Sequence, residues 1–173
     1  CPGEPVTLYA GATPGTATAG DGSTTNSTSG ISPFTNFWEG SRSQYLVTAS
    51  ELQTLGLVAG PITSLAFNIT STSDDYAQNG FSIKMGHTSA ANLSAGFDAA
   101  SLTTTYGPAS INTFSTGVQS FTFTTPFIWD GTSNIVVDIC HDNDISNTCS
   151  LCYGSNSTVA ATKTGFTSAY GTY

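Results

Sequence analysis

Between Pro126 and Asp144 the chain reads PFIWDGTSNIVVDICHDND, a stretch dense in groups able to do chemistry. Asp130 precedes a glycine, where its carboxylate can accept from the backbone two residues on, so the pair predicts a turn. Asp138 interrupts an apolar strand, and a carboxylate there is costly unless paired. Arg42 or Lys84 can neutralise it, and either pair would be structural. Catalysis would need a second acid at a set distance across a cleft, which the sequence does not display. Asp142, Asn143 and Asp144 space their oxygen donors like the start of a calcium loop, yet the glycine and distal glutamate of such a loop are missing. We read a polar hairpin tip there, with calcium at Asp142 and Asp144 as the alternative and no other cofactor.

Cys140, His141, Cys149 and Cys152 are the residue types that bind zinc, but their spacing matches no finger. The Cys149-x-x-Cys152 pair has no βαβ context to make it a redox centre. With Cys1 the chain has four cysteines. In an acidic, hydroxyl-rich chain these predict two disulfides, with three pairings open. The favoured one joins Cys140 to one of Cys149 and Cys152, and Cys1 to the other. His87 and His141 are the only histidines, and no Gly-x-Ser-x-Gly elbow accompanies them. His87 falls on the apolar side of its strand, as a core or edge residue making one hydrogen bond rather than a general base. No acid, base and nucleophile converge, so the expectation is a protein that is not an enzyme. Asn26, Asn68, Asn92 and Asn156 begin Asn-x-Ser/Thr sequons, which matter only if the host glycosylates.

The elements that must carry these residues are strands. ITSLAFNITS alternates Leu65, Phe67 and Ile69 against polar neighbours. FSIKMGHTS puts Phe81, Ile83, Met85 and His87 on one face, and VQSFTFTTPF does the same with Phe121 and Phe123. Period-two alternation of this kind predicts one-sided antiparallel strands. NIVVDIC is almost continuously apolar, as a central strand should be. Gln44–Val47 reads as a further strand. Asp130-Gly131 and Asn79-Gly80 read as turns leading into strands. One short helix is expected near residues 49–55, because Thr48-Ala49-Ser50-Glu51 is a capping box and Gly56 a left-handed stop. Residues 11–33 lack periodicity and read as irregular. The expected fold is therefore all-β, an antiparallel β-sandwich or jelly-roll-like domain spanning residues 1–173, with residues 1–30 as an irregular arm or edge strand.

Composition agrees and narrows the function. Of 173 residues, roughly 30% are Ser or Thr and only 8% are charged. The net charge of −8 leaves no basic stripe to displace counterions from a phosphate backbone, which argues against nucleic acid. No run approaches the ~20 apolar residues of a spanning helix, so membrane insertion is not expected. Low charge and abundant hydroxyls suit an extracellular or cell-surface chain.

ITSLAFNITS, FSIKMGHTS, FTFTTPFIWDGTSNIVVDICHDND and SRSQYLVTASEL together resemble a β-sandwich module of large secreted and surface proteins of Bacteroidota, especially flavobacterial ones. The resemblance runs from about Thr25 to about Ser157 and is specific at IKMGHTS and PFIWDGTSNIVVDIC. It implies export by the type IX secretion system and a place in adhesin-like or gliding-associated proteins, with no catalytic residue to carry over. The clustered cysteines are not part of the resemblance. It also leads us to expect a segment of a longer polypeptide or a subunit within an assembly. The expected function is a non-catalytic structural or adhesive module, a building block of a surface adhesin or filament, whose partners are copies of itself or neighbouring modules. The alternative is a carbohydrate-binding module with polysaccharide as partner, in which Phe37 and Trp38, with Phe34, Trp129 and the late tyrosines, form a stacking platform. Trp129 is more readily a core residue.

Overall fold

The computed structural model describes residues 15–17, 33–34, 40–69, 77–142, 156–157 and 167–172. The elements are β1 (Gly40–Val47), α1 (Ala49–Thr54), β2 (Gly60–Ile69), β3 (Gln78–Thr88), β4 (Thr103–Ile111), β5 (Gly117–Trp129), β6 (Asn134–Asp142), β7 (Asn156–Ser157) and β8 (Thr167–Thr172). They form two antiparallel sheets, a six-stranded one ordered β4-β3-β6-β1-β8-β7 and the pair β2-β5. The fold is all-β and sandwich-like.

Alternation decides which side chains meet. From the large sheet, Phe81, Ile83 and Met85 of β3 and Ile135, Val137 and Ile139 of β6 point inward. Phe121, Phe123, Phe127 and Trp129 of β5 face them, with Ile62, Leu65 and Phe67 of β2 packed alongside. Burying each such side chain contributes about 1.5–3 kcal/mol, so this layer dominates stability. Phe81 and Phe121 stack with centroids 5.2 Å apart, and Tyr106 meets Phe121 edge-on at the same distance. β6 is buried from Ile135 to Asp142, as its near-continuous apolar run predicts for a central strand.

Helix α1 closes one end of the sandwich. Thr48 caps it by accepting the Glu51 amide, and Leu52 and Ala49 are its buried contacts with the core. Gly56 follows with φ +83, as the stop signal requires. Two local expectations change. Strand β1 begins at Gly40 rather than Gln44, because Arg42 and Ser43 pair with Cys140 and Ile139 although they break the apolar rhythm. Asn79-Gly80 is not a turn: it lies inside β3, where Gln78 pairs with Ile111 and Phe81 with Ala109, leaving one extra residue on β3. Gly80, at φ +61, absorbs that β-bulge.

Residues 89–102, between β3 and β4, cross the outer face of the large sheet as a strap. Leu93 and Phe97 of the strap pack on Leu46 of β1. Gly86 lets the strap come close, since a Cβ there would stand 2.5 Å from the Ser101 carbonyl oxygen.

Candidate functional site

Three places gather polar groups. The first is the turn from β5 to β6. Asp130 Oδ1 accepts the Thr132 and Ser133 amides at 2.8 and 2.7 Å, and Oδ2 accepts the Ser133 hydroxyl at 2.6 Å. The Ser133 hydroxyl and then the two amides hold the Asp130 carboxyl well below its ordinary range. Asp130 is thus committed to the turn. His87 Nε2 accepts the Asp130 amide at 3.3 Å, and its ring lies 4.8 Å from Phe127, so it is an edge residue with a defined partner. His87, Thr88, Ser89, Thr132, Ser133 and Asn134 line an open depression of about 410 Å³. Most of its polar lining is engaged within the fold. Thr88 donates to Asp98, Ser133 to Asp130, and Asn134 bridges the Ala49 amide and the Ala90 carbonyl. The depression lies where the loops after β3 and β5 meet.

The second place lies under the strap. Asp138 is 1% exposed, on the outer face of β6. Its Oδ2 accepts from Arg42 Nε at 2.8 Å and Nη2 at 2.7 Å, and from Gln44 Nε2 at 2.8 Å. Of the two cations expected as its partner, Arg42 makes the ion pair, although strand register also sets Lys84 opposite Asp138. Gln44 passes the connection on: its Oε1 accepts the Asp98 amide at 2.7 Å and its Nε2 donates to the Asp98 carbonyl at 3.3 Å. Asp98 in turn accepts from Thr88 and the Ala100 amide, while the Arg42 guanidinium lies 4.6 Å from the Phe97 ring centre. This relay fastens the strap to the sheet. Gln44, Phe97 and Asp98 were not singled out by the sequence; only the placement of Gln44 two residues from Leu46 on one strand face hints at it.

The third place is the end of β6. Cys140 is buried with its sulfur 3.2 Å from the Ser82 hydroxyl, and His141 and Asp142 are buried beside it. Cys1, Cys149, Cys152 and Asp144 lie outside the described residues, as do Asn26, Phe37 and Trp38. Among the described residues no three metal-ligating side chains cluster. Trp129 and Phe34, considered for a stacking platform, are instead core residues. Trp129 is 1% exposed with its indole N–H donated to the Ser133 carbonyl at 2.8 Å, and Phe34 packs on Phe114 and Phe67. Of the sequon asparagines, Asn68 and Asn156 sit on β2 and β7, and Asn92 is exposed on the strap, where its Oδ1 accepts the Ser94 amide.

The outer face of β2-β5 is different in kind. Thr63, Ser64 and Ala66 of β2 and Ser120, Thr122 and Thr124 of β5 are exposed on it, with Val118 and Ile128 75% and 62% exposed near its ends. No Asp, Glu, Lys or Arg occurs in either strand. No helix among the described residues is long and apolar enough to cross a membrane. No family model, curated protein or solved structure matches this chain.

Proposed function

We propose that the chain is a non-catalytic extracellular contact module, a building block of a cell-surface adhesin or filament of the Bacteroidota type that its sequence resembles. The observation that carries this reading is the charge-free, hydroxyl-covered outer face of β2-β5 in a protein of net charge −8. Acidic copies repel one another in solution, and a face without charge is where they approach at least electrostatic cost. Exposed Val118 and Ile128 add apolar area that contact would bury. The engaged lining of the depression beside His87 favours contact over catalysis. The predicted disulfides suit an extracellular setting.

The test is to place a charge on the face. Thr122→Glu and Val118→Glu, both at exposed positions, should leave the melting temperature within a few degrees of the parent and abolish self-association seen by sedimentation velocity. Unchanged association in both variants would refute the assignment of this face. Glycan-array binding by the parent, with no self-association at any concentration, would replace the reading with carbohydrate recognition.

A further inference from the structure

We infer that the free edge of β2 is a docking groove for an extended segment of another polypeptide, uncharged and with apolar residues at every second position. The groove lies along one side of the sandwich, not on the outer face of β2-β5, and does not depend on what that face contacts.

The core is closed along β5 and open along β2. β5 lies beside β4, where the Thr124 hydroxyl donates to the Thr105 carbonyl at 3.2 Å. Its inward Phe121, Phe123, Phe127 and Trp129 are all buried. The inward Ile62, Leu65 and Phe67 of β2 are only half-buried, and so are Tyr45 and Val47 of β1. The Tyr45 and Phe67 rings lie 6.3 Å apart, centre to centre, which sets β2 over β1. The large sheet runs on past β1 to β8 and β7, whereas among the described residues the small sheet ends at β2. Two strands do not roof six, and the shortfall falls on this side.

Three properties of β2 select the occupant. In an antiparallel pair every second residue turns its amide and carbonyl away from the partner, so β2 presents a row of such groups opposite β5. An added strand satisfies that row along its length. Ser64–Ile69 pairs with Thr122–Gly117 without a register shift, a run of the usual strand length of about five or six residues. Leu65 and Phe67 point into the groove, so alternate side chains of the newcomer fall beside them and over Tyr45. Neither β2 nor Ser43–Val47 of β1 contains Asp, Glu, Lys or Arg. A charge carried inward would lose water and meet no partner in either wall, so the inward positions must be apolar. In a chain of net charge −8, acidic groups elsewhere on the segment are disfavoured too.

The other edges are poorer acceptors. β7 ends the large sheet but is only Asn156–Ser157, too short for a ladder. β4 has an exposed proline within it, Pro108, and its pairing with β3 shifts register more than once. Proline cannot donate to a ladder and blunts an edge. The proline of β2, Pro61, stands near its start, before the regular run.

The probe is a synthetic peptide, VQSFTFTT, which copies residues 118–125 of β5, carries no charged side chain and has its two phenylalanines on one face. A control peptide of the same composition has them adjacent, so that they point to opposite faces. Fluorescence anisotropy reads binding to the full chain, and hydrogen exchange followed by NMR reads the amides of Ile62–Ile69. We expect the probe to bind and the control to bind about tenfold more weakly or worse. Those β2 amides that exchange fast in the free chain should become protected when the probe is added. No binding, equal binding of both peptides, or binding that leaves the β2 amides unprotected would each overturn the inference. Protection of every β2 amide before any peptide is added would overturn it too, because a segment of the same chain or of a second copy then already fills the edge.

Discussion

Replacing Arg42 by Met tests whether the buried relay, rather than the apolar contacts alone, holds the strap to the sheet. The substitution keeps most of the aliphatic stem and removes the guanidinium. Asp138 then loses two of its three described donors and keeps only Gln44, in a site where its side chain is 2% exposed. Breaking a buried ion pair from one side costs about 3–5 kcal/mol. Arg42 is 29% exposed, so its half of the pair is partly solvated, and solvent screening lowers the cost to about 1.5–3 kcal/mol. Losing the contact with Phe97 adds about 0.5–1 kcal/mol. We expect a loss of about 2–4 kcal/mol at pH 7. With a urea m-value of about 2 kcal/mol/M, that moves the midpoint by about 1–2 M. The paired variant R42M/D138L removes the stranded charge and should recover at least half of the loss, as a double-mutant cycle would report. A cost below about 1 kcal/mol for Arg42→Met, or a paired variant no more stable than the single one, would refute the reasoning.

Gly86→Ala should destabilise by about 1–3 kcal/mol in the same assay, because the new methyl collides with the Ser101 carbonyl and the Leu102 side chain and must push the strap outward. The Asp130 carboxyl is held below its ordinary value of 3.8 by its turn hydrogen bonds, so its stabilising effect is present above that value and is lost as pH falls. The melting temperature of wild type should therefore exceed that of Asp130→Asn at pH 7, with the gap closing below about pH 4. Glu51 has the opposite sign: burial raises its carboxyl above 4.5, so ionisation costs stability in the fold. Glu51→Gln, which keeps the capping-box geometry, should match or exceed wild type at pH 7 and lose that advantage below about pH 4, by the same melting measurement.

The parts legible in the sequence were those set by neighbouring residues. Alternating Phe81, Ile83 and Met85 can bury only one face of a strand, and Thr48 with Glu51 can cap only a helix starting between them. The Asp130-Gly131 turn is written in two residues. Asn79-Gly80 misled because a glycine at positive φ serves a bulge as well as a turn, and only the partner strand distinguishes them. Asp138 could be seen to need a cation, but not which of two. Gln44 and Asp98 are separated by 54 residues along the chain, and nothing near Asp98 marks it as a clasp. Gly86 did carry a signal, since a glycine inside a strand pattern marks a close backbone approach.

The strap across the large sheet also governs how neighbours can stack. With the strap lying over one broad side, the molecule has lost the symmetry of an ordinary two-layer sandwich and has a back and a front. The front, the hydroxyl-bearing strand pair, carries no Asp, Glu, Lys or Arg. Units laid down on a common support would share one orientation, and a sheet of them would be polar in the directional sense, with unlike top and bottom surfaces.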